Sequence, residues 1–91
     1  MQHEIKLPLR QWVSMNQLSG ISTGVSFEIQ NISTPWVTLR ESSEQPESTT
    51  TTGSVLTSVF FNESTRTVTA GSSEIWAMAL QDGAAVIVQE I

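Results

Sequence analysis

The amino-acid sequence predicts an all-β domain, either an antiparallel β-sandwich or a jelly-roll-like barrel of about six to eight short strands. Serine and threonine, with 13 and 11 copies among 91 residues, favour strands and turns over helices. Short runs of alternating apolar and polar residues are separated by turn residues at intervals of about 8–12 positions. The dipeptide Asp82-Gly83 lies between two β-rich runs, which is the strongest short sequence signal for a β-hairpin.

The N-terminal residues, 1–15, are predicted to form either the first edge strand of the sandwich or an arm laid across a neighbouring subunit. Apolar residues alternate there as in a strand, at Ile5, Leu7 and Leu9. Pro8 restricts the segment to an edge because it has no N–H to donate to a β-ladder. Residues 16–91 are predicted to be the β-sandwich domain.

Two further strands are predicted in the first half of the chain. Residues 25–30 alternate cleanly between apolar and polar side chains, so they are predicted to form a half-buried strand. After a turn at residues 31–34, a second strand is predicted at residues 36–41. Pro35 fits the start of that strand, because the first position need not donate a ladder hydrogen bond.

Residues 41–53 are predicted to be a mobile, acidic surface loop. They contain three glutamates, a proline and no apolar residue. A loop of this length in a small domain is usually functional or disordered. Glu41, Glu44 and Glu47 offer oxygen ligands to a divalent cation, but no motif of fixed spacing accompanies them, so a solvated loop is the favoured interpretation.

The C-terminal part of the chain is predicted to contain four strands. Residues 54–61 are the most apolar run and therefore the predicted central strand, and residues 65–69 form a short strand. Residues 73–80 and 84–91 are predicted to pair as a terminal hairpin around Asp82-Gly83.

Both faces of the predicted strand at residues 73–80 are apolar. Trp76, Met78 and Leu80 share one face, and Ile75, Ala77 and Ala79 share the other. We expect this strand to be covered on two sides. The alanines leave room for the close approach of another sheet or of another subunit.

The composition argues against several classes of function. The net charge is −5 and the four basic residues are scattered, so a nucleic-acid partner is not expected. No apolar run approaches the ~18 residues of a membrane span, so no membrane partner is expected either. The chain has no cysteine, which excludes disulfides and thiolate metal sites. Its first residues lack the basic and apolar regions of a signal peptide, and folding in a reducing cytoplasm is predicted.

No catalytic, metal-ligating or cofactor-binding residue is predicted, and the chain is not expected to be an enzyme. His3 is the single histidine, and no Gly-x-Ser-x-Gly turn is present to hold a nucleophile. The tryptophans permit stacking on sugars, which keeps a small carbohydrate-binding module that uses Trp12 or Trp36 as an alternative function. Trp36 and Trp76 are expected in the core or in an interface, whereas Trp12 is the expected exposed anchor.

Two stretches resemble small all-β virion proteins of tailed bacteriophages. Residues 31–46, which begin Asn-Ile-Ser-Thr-Pro-Trp, resemble a stretch in which an Asn-x-Ser sequence precedes a proline and an aromatic residue. Residues 67–77 and 83–90 are similar to the closing segment of these proteins, where a strand ending in Trp-Ala is followed by a glycine-containing turn and a valine-rich strand. The group includes head decoration proteins and fibre-type β-sandwich domains.

The resemblance implies a structural accessory protein that decorates and stabilises the capsid exterior. It would be a homotrimer that binds the major capsid protein or another virion protein, made in the cytoplasm of the host bacterium and carried on the capsid surface. A tail, collar or fibre-associated module is the alternative within the same virion class. The residues expected in protein interfaces come from the N-terminal segment and from the alanine face: Ile5, Leu7, Leu9, Trp12, Ala77 and Ala79.

Overall fold

A computed structural model describes residues 2–60, 64–69 and 71–91 of the chain. Eight strands and one short helix lie within these ranges: β1 (Gln2–Lys6), β2 (Val13–Ser14), α1 (Met15–Ser19), β3 (Phe27–Asn31), β4 (Val37–Ser42), β5 (Ser54–Leu56), β6 (Thr65–Val68), β7 (Glu74–Ala79) and β8 (Ala85–Glu90). The strands form two four-stranded sheets that pack face to face. The predicted all-β sandwich is confirmed.

The order of the strands is that of an eight-stranded jelly roll. The first sheet runs β1-β8-β3-β6 and the second runs β2-β7-β4-β5. The first four strands thus pair with the last four in reverse order, β1 with β8, β2 with β7, β3 with β6 and β4 with β5, and all these pairs are antiparallel. Two additional antiparallel pairs, β3 with β8 and β4 with β7, join these four pairs of strands into two sheets.

The main core lies between the two sheets. Alternate residues of each strand point into it, as the period of two requires, and these side chains are buried: Phe27, Ile29, Val37, Leu39, Leu56, Ile75, Val86 and Val88. Ala77 and Ala79 are fully buried in the same core. The alanine face was expected to pack against either another sheet or another subunit. In the structure it packs against the opposite sheet of the same chain.

The N-terminal segment contributes an edge strand to each sheet. β1 pairs with β8 from Gln2↔Gln89 to Lys6↔Ala85 and forms one edge of the first sheet. The chain then crosses to the second sheet, where the Arg10 N–H donates to the Ala79 carbonyl at 2.8 Å before β2 begins. Residues 2–6 are thus the first edge strand.

The helix α1 closes one end of the sandwich through a buried asparagine. Asn16 Nδ2 donates to the Ile21 carbonyl at 3.0 Å, and its Oδ1 accepts from the Ile75 N–H at 2.9 Å. Ser14 caps the first turn of the helix by accepting from the Gln17 N–H at 3.1 Å. Asn16 therefore ties α1 to the core strand β7.

The predicted terminal hairpin is wrong. β7 belongs to the second sheet and β8 to the first, so Asp82-Gly83 turns the chain from one sheet to the other. Gly83 has the positive φ, +88°, that the dipeptide predicts. A turn signal specifies this local reversal but not the pairing of the flanking strands, and here each strand is paired on both edges with other strands.

The run at residues 54–61 is not a central strand. β5 spans Ser54–Leu56 and is the edge strand of the second sheet. After Leu56 the chain leaves the sheet. The Val59 N–H donates to the carbonyl of Ser33, a turn residue outside the strands, at 3.0 Å. Val59 and Phe60 are exposed to solvent. Residue 61, the last of the predicted strand, lies outside the described residues.

The acidic loop, residues 43–53 in the structure, is fastened to the outer face of the second sheet. The Trp12 Nε1–H donates to the Thr50 carbonyl at 2.9 Å, and Gln45 Nε2 donates to the Trp12 carbonyl at 2.7 Å. Trp12, Trp76 and Met78 form a second buried cluster on this face. β7 is thus covered on two sides, as predicted.

The expectation that Trp12 is exposed is wrong, because only 1% of its surface is accessible. Its indole packs against the outer face of the second sheet, and its N–H is bonded to the loop. The acidic loop, although mostly polar, covers Trp12 because its backbone carbonyl at Thr50 accepts the indole N–H as a water molecule would. The order of residue types along the chain does not indicate this long-range contact.

Candidate functional site

The described residues hold no cluster of three or more histidine, aspartate or glutamate side chains that is placed to bind a metal ion. Glu74, which the helix contacts, accepts hydrogen bonds from Ser14 Oγ at 2.6 Å and from Gln17 Nε2 at 2.8 Å. These two contacts hold α1 against β7. The features that stand out are instead apolar surfaces that the fold leaves uncovered.

The main uncovered surface is a groove on the outer face of the second sheet, which we call the Trp36 groove. Its volume is about 490 Å³, and it is lined by Thr34, Trp36, Thr38, Thr51, Val55, Leu80 and Gln81. The Trp36 side chain is 58% exposed. The acidic loop covers the part of this face that carries Trp12, Trp76 and Met78, and the groove occupies the part that remains open.

Strand register brings the side chains of the Trp36 groove together. Thr38 pairs with Val55 of β5 on one side and with Met78 of β7 on the other. Trp36 and Leu80 each lie one residue beyond the Val37–Ala79 pair, so they are neighbours across the ends of β4 and β7. Because alternate residues of a strand share a face, Trp36 and Thr38 both point outward while Val37 points into the core.

A buried asparagine orders the turn that leads into Trp36. Asn31 Nδ2 donates to the Pro35 carbonyl at 2.8 Å and to the Thr57 carbonyl at 2.9 Å. Its Oδ1 accepts from the Ser33 N–H at 2.9 Å and from Ser33 Oγ at 2.6 Å. Asn31 is 0% exposed. The Asn-x-Ser-x-Pro stretch thus has a structural role, which is to fix the backbone immediately before Trp36.

A second uncovered apolar surface, which we call the apolar tip, consists of Val59 and Phe60. Phe60 is 80% exposed, the largest exposed fraction among the large apolar side chains described. The tip is joined to the Asn31 turn by the Val59 N–H, which donates to the Ser33 carbonyl. The turn therefore supports both the apolar tip and the Trp36 groove.

Thr57, which lies two residues before Val59, gives a direct test of the packing in this segment. Its Oγ1 is the single buried side-chain polar atom found without a hydrogen-bond partner in the described part of the chain. Thr57→Val replaces that hydroxyl with a methyl group of similar size, so we expect the free energy of unfolding to rise by about 0.5–1.5 kcal/mol. Urea denaturation measures it, with the exposed Thr67→Val as a control. A loss of stability in Thr57→Val would contradict this assignment.

The structure places most of the residues expected in interfaces inside the chain's own core. Ile5, Leu7, Trp12, Ala77 and Ala79 are buried, and only Leu9 of that set is exposed. The physical reason is that β1 and β7 are both built into the sandwich. In this fold the five buried side chains cannot form a contact surface, which corrects the expectation.

The sequence did not predict the apolar tip as a site, and of the groove it indicated only Trp36, as one of two tryptophans that permit stacking on sugars. One signal was available for the tip, because residues 59–61 are apolar at consecutive positions. A strand with one buried face buries only alternate side chains, so some of these residues must be exposed. Trp36 was predicted to begin a strand and to lie in the core or in an interface, but β4 begins at Val37 and Trp36 is outside the core, with 58% of its surface exposed. Its exposure depends on where the acidic loop stops, which residue order alone does not show.

No family model, curated protein or solved structure matches this chain. Within the residues that the structure describes, no helix has the length and apolar character needed to cross a membrane. A function is therefore inferred from the surfaces of the molecule itself.

Proposed function

We propose that this chain is a structural accessory protein of a tailed-bacteriophage virion, which decorates and stabilises the capsid exterior. The observation that carries the proposal is the exposure of Phe60, at 80%, near the end of the most apolar run of the sequence. Exposed apolar patches mark interaction sites, and aromatic residues are enriched where proteins contact each other. The apolar tip is the proposed contact with the shell.

The shape and architecture of the chain support this role. The molecule measures 29 × 27 × 18 Å, so it is a small flat block that can lie on a larger surface. The jelly roll is an architecture that viral capsid domains use. The resemblance of residues 31–46 to virion proteins involves the same turn that holds the apolar tip in place.

The proposed mechanism is stabilisation by mass action. A protein that binds the assembled shell and not its separated subunits shifts the equilibrium toward the shell. The proposed partner is the major capsid protein or another virion protein. A homotrimer presents three apolar tips at once, which raises the effective affinity without new contacts at each site.

Replacing Phe60 tests the proposal. Particles are purified from the phage that encodes this chain, and from a deletion mutant to which purified protein is added. We expect mass spectrometry to find the chain in the particles in multiples of three copies. Phe60→Ser is expected to weaken binding to the deletion particles by about 30-fold, which corresponds to an interface hot spot of about 2 kcal/mol.

Leu18→Ser is the matched control, because Leu18 is also exposed, at 54%, but lies on α1 away from the apolar tip. It should bind like the wild type. Absence of the chain from purified particles, or wild-type binding by Phe60→Ser, would overturn the proposal. Electron cryomicroscopy of the same particles distinguishes the alternatives, because density on the tail, collar or fibres in place of the shell would identify a tail-associated module.

A further inference from the structure

We infer that the Trp36 groove is a binding site for a neutral oligosaccharide. This site is separate from the apolar tip, and the inference does not depend on the proposed attachment to a capsid. Three features of the groove carry it: an uncovered indole, unpaired hydroxyl and amide groups, and the lack of ionisable groups in the lining.

The first feature is the exposed face of Trp36. The same side of the sheet holds two other large apolar side chains of β7, Trp76 and Met78, and the chain buries both. Trp36, by contrast, is left open beside Leu80 in the groove. A flat indole bounded by an aliphatic side chain matches the C–H face of a pyranose ring, which packs against aromatic rings without losing its hydroxyl hydrogen bonds.

The second feature is the polar lining. Thr34, Thr38, Thr51 and Gln81 lie around the indole, and their side chains have no hydrogen-bond partner within the described part of the chain. Hydroxyl and amide groups both donate and accept, as do the hydroxyls of a sugar. Small-ligand sites commonly measure about 300–1,000 Å³, and the groove, at about 490 Å³, falls within that range.

The third feature is charge. The groove is lined by threonine, tryptophan, valine, leucine and glutamine, none of which ionises at neutral pH. A charged ligand would lose hydration on entering and gain no ionic partner. The three threonines also distinguish the groove from the core of a protein interface, which is more apolar than the surrounding surface. A neutral sugar satisfies both the apolar and the polar parts of the lining.

The test uses the purified full chain and a panel of defined sugars: maltotriose, cellotriose, mannotriose, lactose and diacetylchitobiose, with 3′-sialyllactose as the charged counterpart of lactose. Binding is measured by calorimetry and by tryptophan fluorescence. Because Trp36 is the exposed indole and Trp12 and Trp76 are buried, iodide quenching reports on the groove. We expect at least one neutral sugar to bind, to shift the emission to the blue and to reduce quenching.

Three variants make the result specific to the groove. Trp36→Ala should abolish binding, and Trp36→Phe should retain part of it. Thr38→Val, which exchanges a hydroxyl for a methyl group, should weaken sugar binding by about tenfold, the effect of losing roughly 1.4 kcal/mol of hydrogen bonding. An apolar protein partner would instead bind Thr38→Val as well as the wild type.

The inference is overturned if no neutral sugar binds at about 10 mM, a concentration that fills most of a site with a Kd in the low millimolar range. It is also overturned if Trp36→Ala binds as the wild type does, or if sialyllactose binds more tightly than lactose. Failure here is separable from failure of the capsid proposal. Phe60→Ser should bind sugar normally, and Trp36→Ala should still bind particles.

Discussion

Replacing Asn31 with alanine is expected to lower the free energy of unfolding by roughly 3–5 kcal/mol, which is exceptional for a side chain this small. Asn31 is fully buried, and the substitution leaves three backbone groups without their partner: the Pro35 and Thr57 carbonyls and the Ser33 N–H. Each buried group that loses its hydrogen bond costs about 1–3 kcal/mol.

Urea denaturation followed by tryptophan fluorescence measures the effect, and Asn16→Ala provides the comparison. Asn16 is also buried, but it makes two of these bonds where Asn31 makes four. We therefore expect the loss in Asn31→Ala to exceed the loss in Asn16→Ala. Equal losses would show that burial of an asparagine, and not the number of bonds, determines the cost.

Replacing Trp12 with alanine is expected to cost about 3–5 kcal/mol, the usual range for a buried aromatic residue. The substitution also removes the hydrogen bond that holds Thr50, and it uncovers Trp76 and Met78. We therefore expect the acidic loop to detach from the sheet, in addition to the loss of global stability.

Limited proteolysis with a glutamate-specific protease separates these two effects. The loop contains Glu44 and Glu47, so its detachment should appear as faster cleavage there under conditions in which the sandwich stays folded. Trp12→Phe is the control, because it keeps an aromatic ring on Trp76 and Met78 while losing the N–H and the smaller ring of the indole. Cleavage of Trp12→Ala at the wild-type rate would show that the loop is held by its other contacts, such as that of Arg40 Nη1 with Thr52 Oγ1 at 2.9 Å.

The fold class could be predicted because it depends on properties that residue order carries directly. Alternation at residues 25–30 and 36–41 corresponds to β3 and β4, whose inward side chains are buried as the pattern requires. The apolar character of both faces of β7 predicted its cover on two sides, which the two clusters confirm. Such patterns report burial, and burial decides which face of a strand points inward.

The pairing of strands could not be predicted in the same way. Asp82-Gly83 specifies a reversal of the chain, but β7 and β8 find their partners elsewhere, at positions far apart along the chain. Trp12 presents a similar case, because its cover comes from Gln45 and Thr50, more than thirty residues away. Contacts of this kind depend on the closed fold, and local propensity carries no record of them.

The candidate sites were the least predictable part. The six residues expected in interfaces are apolar, and they come from an N-terminal segment predicted as an edge strand or an arm and from the alanine face of β7. In the folded chain, apolar residues of a paired edge strand serve the core, as Ile5 shows. The exposed surfaces occur where the chain leaves the sheet, at Val59, or beside the acidic loop, at Thr51.

The rolled order of the strands also has a consequence for biosynthesis. The two strands made last, β7 and β8, take interior positions in the two sheets, with β8 between β1 and β3 and β7 between β2 and β4. Until β7 and β8 have been synthesised, β1 and β3 lack the partner strand β8, and β2 and β4 lack the partner strand β7. The nascent chain therefore offers chaperones its unpaired apolar strands, and the fold closes only after residues 85–90 have emerged from the exit tunnel.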